Sequence, residues 1–305
     1  MLRRGLMLAG LLTVGLSACG DTATSAEQPP AQPPSSATAQ RGQGSPYEIL
    51  GTQVWDVPDP VSGRDYQVFV ALPPSYGAEP DRRYPVLYVT DADYAFPLLR
   101  QITRRVNLNE PVIEEFILVG LSYAVGEGGM ASRARDYTPV AINDRTGGGA
   151  AYQTYLKTQV LPFIEGRFRA DPARRILLGH SYGGLLGAQI MFSEPTLFDG
   201  YILGSPSFWF GDHAMMRAEA DYARAHTALP ARVYMYIGEY EVPGGGRRNN
   251  RYDMVGDNAR FEARLRSRNY EGLTLSSEVL NDEDHLTVAP RGFTHGLLAL
   301  LPARD

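Results

Sequence analysis

Ile176-Leu177-Leu178-Gly179-His180-Ser181-Tyr182-Gly183-Gly184-Leu185 runs from an apolar strand, through a serine framed by glycines, into a helical segment. Residues 179–183 fit G-x-S-x-G, and the strand before and helix after are the context that motif requires. At such a strand-to-helix elbow the serine takes strained backbone angles, and the glycines two residues to either side remove side chains that would collide where the turn closes. The hydroxyl then projects outward, and the amide dipoles of the next helix aim at the same point, where negative charge on a carbonyl oxygen is stabilised. The competing reading of the segment is a tight glycine turn around an inert serine.

A serine hydroxyl is a weak nucleophile until a base accepts its proton, so a histidine has to reach it. The chain has five histidines. His180 lies inside the elbow, and His213 and His226 precede the strand after which an orienting acid is expected. His285 follows the last strand, in Asn281-Asp282-Glu283-Asp284-His285, where a loop can carry it over Ser181. His295 falls within the closing helix and reads as a partly buried structural residue. The acid should follow Val233-Tyr234-Met235-Tyr236-Ile237, where Gly238-Glu239-Tyr240-Glu241 offers two glutamates and no aspartate. Its offset from Gly238 favours Glu241; Glu239, or a Ser-His pair with no acid, stays open. The amides of Tyr182 and of Asp93, in the loop Thr90-Asp91-Ala92-Asp93-Tyr94, are expected to form the oxyanion hole. Asp91 and Asp93 without further clustered ligands are a weak metal signal, and loop capping is the preferred role for them. The predicted chemistry requires neither metal nor cofactor.

Outward from the elbow, short apolar or β-branched runs alternate with helical patterns, the signature of a largely parallel sheet covered by helices on both faces. Buried strands are expected at 85–89, 116–120, 175–178, 201–203, 233–237 and 273–280. Residues 66–72 alternate like a half-exposed strand, paired with a run near Val54 as an antiparallel N-terminal edge. Helices are expected near 96–106, 152–168, 185–192, 215–226, 258–267 and 290–301. Eight strands in this order, antiparallel first, suit the α/β-hydrolase sheet.

The chain has 305 residues, 44% of them hydrophobic, enough for one large core. A net charge of -5 leaves no basic surplus for a phosphate backbone, which argues against nucleic acid as a partner. Arg3 and Arg4 followed by the apolar stretch Leu6 to Leu16 read as an export signal, too short to span a bilayer. Leu16-Ser17-Ala18-Cys19 resembles the lipobox of bacterial lipoproteins. Residues 1–18 are therefore expected to be removed, leaving Cys19 acylated at a membrane in the cell envelope, with the enzyme facing the periplasm. Gly20 after it resembles the outer-membrane pattern. Cys19 is the only cysteine, so no disulfide or thiol chemistry is expected beyond it. Residues 19–45, rich in Pro, Ala, Ser, Thr and Gln, read as a disordered tether, and 46–305 as one catalytic domain.

Pro85 to Asp93, Arg135-Asp136-Tyr137-Thr138-Pro139, Gly179 to Gly184, Ser205-Pro206-Ser207-Phe208-Trp209 and Glu283-Asp284-His285 occur in the order found in the putative-esterase family. The chain resembles the branch that includes enterobactin and related siderophore esterases and, more distantly, esterase D and feruloyl esterases. The resemblance implies a serine carboxylic-ester hydrolase acting through an acyl-enzyme on siderophore ester or lactone bonds. Removal of feruloyl or acetyl groups from carbohydrate, and a binding lipoprotein that has lost its chemistry, are the alternatives. It also implies that Arg133 or Arg135 lies near the cleft, pairing with substrate oxygens or, for Arg135 in particular, bracing the loop through Asp136. Phe208 and Trp209 would form an aromatic wall beside the serine. The loop from Val242 to Arg248 would be a substrate gate or a solvent loop. Relatives commonly carry glycine where this chain has Ala92, whose methyl group is expected to crowd the oxyanion loop.

Overall fold

In the computed structural model, which describes residues 47–245 and 251–303, the sheet is built around strands with no polar face. β3 (Tyr84–Val89), β4 (Ile117–Leu121) and β6 (Gly200–Gly204) are buried at every position. That is why their sequences are unbroken apolar runs rather than alternations. The other strands are β1 (Thr52–Asp56), β2 (Gln67–Ala71), β5 (Ala170–His180), β7 (Arg232–Gly238) and β8 (Thr274–Leu280). The spatial order is β1-β2-β4-β3-β5-β6-β7-β8. β2 runs antiparallel to both β1 and β4, and every pair from β4 to β8 is parallel. This is the expected α/β-hydrolase sheet, with its antiparallel edge at the N-terminal side.

The helices are α1 (Ala92–Val106), α2 (Gly129–Asp136), α3 (Gly149–Tyr155), α4 (Leu161–Arg167), α5 (Tyr182–Ser193), α6 (Phe210–Ala225), α7 (Met254–Arg268) and α8 (Ala289–Leu300). α1 and α8 cover one face of the sheet, burying Phe96, Leu99, Phe293 and Leu297. α3 to α7 cover the other, around Tyr152, Ile164, Leu186, Met215 and Phe261. The single helix expected at 152–168 is two helices joined by a π turn, Leu156–Val160, just before Pro162, which has no N–H to continue the ladder. α2 was not expected: eight residues with two buried side chains offer no apolar stripe to detect. α6 begins earlier than expected because Gly211, Asp212 and His213 wind left-handed before the regular helix starts.

The compact unit carrying these elements begins at Ile49. The proposed export signal, Cys19, the tether through residue 45, and Arg247 and Arg248 lie outside the described residues.

Candidate active site

The parallel strands deliver their loops to one end of the sheet, as the strand order requires. β5 ends at His180, and Ser181 turns the chain with φ 61° and ψ −117°, a region rarely open to residues other than glycine. The turn is held by the Ser181 N–H, which donates to the Gly204 carbonyl at 2.8 Å. A Cβ at Gly179 would stand 2.2 Å from the Gly183 backbone, and one at Gly183 would stand 2.2 Å from Thr90 Oγ1. Glycine at both places is thus a geometric necessity of the elbow.

Ser181, Tyr182, Glu241 and His285 line one cavity of about 670 Å³. His285 Nδ1 donates to Glu241 Oε2 at 2.6 Å. In the neutral imidazole this leaves Nε2 as the acceptor, the tautomer a general base needs. Glu241 is itself fixed: its Oε1 accepts from Ser205 Oγ at 2.6 Å and from the Gly238 amide at 2.8 Å, and the residue is 1% exposed. Glu239 is exposed and accepts instead from the backbone amide of Asp282 at 3.0 Å. The choice left open by the sequence thus falls to Glu241 on geometry. Ser181 Oγ lies 3.4 Å from Ser207 Oγ, a neighbour that sequence reasoning did not single out although it stood within the quoted Ser205 to Trp209 segment.

The loop carrying His285 is anchored from below. His180 Nε2 donates to the His285 carbonyl at 2.8 Å, and its ring lies 4.7 Å from the His285 ring, centroid to centroid. With Nε2 protonated, His180 Nδ1 accepts from the Tyr236 hydroxyl at 3.3 Å. Burial, assisted by the neighbouring His285, holds the His180 imidazole well below the ordinary histidine range, so it stays neutral and its donor stays in place. Asp284 adds a local lock, accepting from the amides of Leu286 and Thr287 at 2.9 Å and 3.1 Å. His295 pairs with Glu278 at 2.6 Å and His213 with Asp257 at 2.9 Å, so both are engaged structurally.

Facing the elbow, Asp91 occupies the left-handed region at φ 55° and starts α1. Its amide is taken by Tyr137 Oη at 3.4 Å, while those of Ala92 and Asp93 fall in the first turn, where helical geometry supplies no acceptor. Asp93 has an exposed side chain and is not among the residues lining the cavity, and since a carboxylate has no proton to donate, its amide is the group it offers an oxyanion. The expected crowding by Ala92 does not occur, because its methyl group packs into the core against Gly120, which has no room for a Cβ. The Asp91 carboxylate does not cap its helix. It accepts from Tyr123 Oη at 2.7 Å and from Arg133 Nε at 2.9 Å; burial opposes the charge on the guanidinium, but Asp91 with Tyr137 and Tyr123 more than offsets it and raises the affinity of Arg133 for its proton.

Arg133 lines the cavity, stacked 5.2 Å over the Tyr182 ring. Arg135 does not line it: it pairs with Asp136 at 2.8 Å and with Glu127 at 2.5 Å, bracing the loop. Phe208 is also corrected. It is fully buried and stacks on Phe261 of α7 at 4.1 Å, so only Trp209 reaches the substrate space. The aromatic wall is instead Trp209 stacked flat on Tyr252 at 3.8 Å, with Tyr182, Tyr94 and Tyr123 around the same cavity. The four tyrosines come from four separate segments, Tyr94 in the first turn of α1, Tyr123 after β4, Tyr182 at the start of α5 and Tyr252 before α7, which no local motif joins.

Fold and site together define a serine esterase of the α/β-hydrolase class. The family model described as "Putative esterase" matches residues 60–278, and the chain belongs to that family. It is 25% identical over 268 residues to the ferri-bacillibactin esterase BesA of Bacillus subtilis, a match covering 82% of this chain and 89% of that protein. It is 32% identical over 176 residues to the apo-salmochelin esterase of Escherichia coli, covering 52% of each. Among solved structures, the BES protein from Bacillus cereus superposes with a TM-score of 0.73 at 24% identity, over 85% of this chain and 98% of that one. The siderophore hydrolase EstB from Aspergillus nidulans does so with 0.72 at 21%, over 85% and 97%. At these identities the two structures support the fold.

Proposed function

We propose that this protein hydrolyses the ester or lactone linkages of a siderophore through an acyl-enzyme. Ser181 attacks the ester carbonyl while His285 Nε2 takes its proton, and Glu241 holds the imidazole in that tautomer and offsets its positive charge. The amides of Tyr182 and Asp93 receive the oxyanion. His285 returns the proton to the departing alcohol, and a water activated by the same base then releases the acyl group. Arg133 supports the oxyanion loop through Asp91, and Trp209 with Tyr252 provides a flat face for a planar acyl group. The observation that carries the reading is the His285–Glu241 pair sharing one cavity with an elbow serine. The siderophore as substrate is supported by the names of the relatives and by the tyrosine-rich wall.

Steady-state kinetics on a catecholate trilactone and on a feruloylated sugar test the substrate. The trilactone is expected to be cleaved with the higher kcat/KM, and no turnover of it removes the siderophore proposal.

We further propose, from the basic and apolar N-terminal stretch ending in Leu16-Ser17-Ala18-Cys19, that the enzyme lies at the cell envelope, anchored through an acylated Cys19 and facing the periplasm. Cys19→Ser is expected to shift the protein from the membrane to the soluble fraction without changing kcat in detergent. Equal partition of both forms would argue that no acyl anchor exists.

A further inference from the structure

At the other end of the sheet from Ser181, a second cavity of about 650 Å³ opens between the C-terminal half of α1 and the chain that leaves β2 and enters β4. Leu72, Pro73 and Phe116 form an apolar wall, and Arg100 and Arg104, one turn apart on α1, form the opposing basic side. The carboxylates at this cavity are already matched. Glu79 and Glu115 pair with Arg82 at 3.1 Å and 3.4 Å, and Glu114 binds Arg174 through both oxygens. Arg100 and Arg104 have no carboxylate within ion-pair distance among the described residues. Arg100 Nε is moreover buried without a hydrogen-bond partner.

Like charges at i and i+4 on one helix destabilise it, and a buried donor left unmade costs its desolvation. Burial and the nearby Arg104 together depress the Arg100 proton affinity, which reflects the same lack of a counter-charge. An anion seated between the two guanidinium groups removes the like-charge penalty, and the apolar wall across from them can take a hydrocarbon body. We propose that this cavity is a second, non-catalytic site for a small amphipathic carboxylate, its head on Arg100 and Arg104 and its body against Leu72, Pro73 and Phe116.

Calorimetric titration of the full chain with octanoate, after Ser181 has been blocked with a fluorophosphonate, tests this. Saturable binding is expected, weakened at least tenfold in the Arg100→Gln/Arg104→Gln variant, with hydrolysis of a simple activated ester unchanged. Arg104→Gln alone, at an exposed helix position, is expected to weaken binding at least threefold and serves if the double variant does not fold. No binding by the native chain, equal binding by the variants, or inorganic phosphate binding as tightly as octanoate would overturn the assignment.

Discussion

Ser181→Ala is expected to lower kcat by roughly 10⁴- to 10⁶-fold with KM little changed, because the nucleophile is lost while the oxyanion amides and the cavity remain. The loss should be chemical and not structural. The elbow is held by backbone bonds: Ser181 N–H to the Gly204 carbonyl, and the Ser181 carbonyl to the amides of Leu185 and Ser207. All three survive the substitution. Among the described residues the hydroxyl itself has only the long 3.4 Å approach to Ser207 Oγ, too weak to contribute much to stability. Alanine also tolerates the same backbone angles no worse than serine does. The variant should therefore melt within a few degrees of the native protein while failing to react with a fluorophosphonate. Residual activity above about one per cent would mean that another group performs the attack.

The elbow was legible because its constraints are local: an apolar strand, a serine and glycines at fixed offsets together describe one turn. The sheet was legible for a related reason, since strands buried on both faces write themselves as unbroken apolar runs. What stayed hidden depends on direction and not on position. Arg133 and Arg135 are two residues apart on α2, which turns their side chains about 200° from one another. One therefore meets Asp91 at the cavity and the other meets Asp136 and Glu127 away from it. Phe208 and Trp209 part in the same way within a turn, one into the core against Phe261 and one toward Tyr252. The role of Asp91 depended on Tyr123 and Arg133, far along the chain, and no spacing rule could supply them.

Glu241→Gln is expected to cost roughly 10⁴-fold in kcat, nearly as much as removing the nucleophile, whereas Glu239→Gln should leave kcat within about twofold. The asymmetry follows from the hydrogen-bond directions. Both Glu241 oxygens accept, one from Ser205 Oγ and the Gly238 amide and the other from His285 Nδ1. An amide has one acceptor oxygen, and the two donors on the Oε1 side fix where it must sit. The NH₂ group then faces His285 Nδ1 and selects the tautomer with its proton on Nε2. That nitrogen can no longer take the proton of Ser181. Loss of the negative charge also removes the stabilisation of the imidazolium formed during attack, so the two effects act in the same direction. Glu239, exposed and bonded only to the Asp282 amide among these groups, touches neither. Pre-steady-state acylation rates of the two variants, with melting temperatures as the check on folding, separate the carboxylates. Equal losses from both, or a mild effect at Glu241, would show that the imidazole of His285 works without its buried partner.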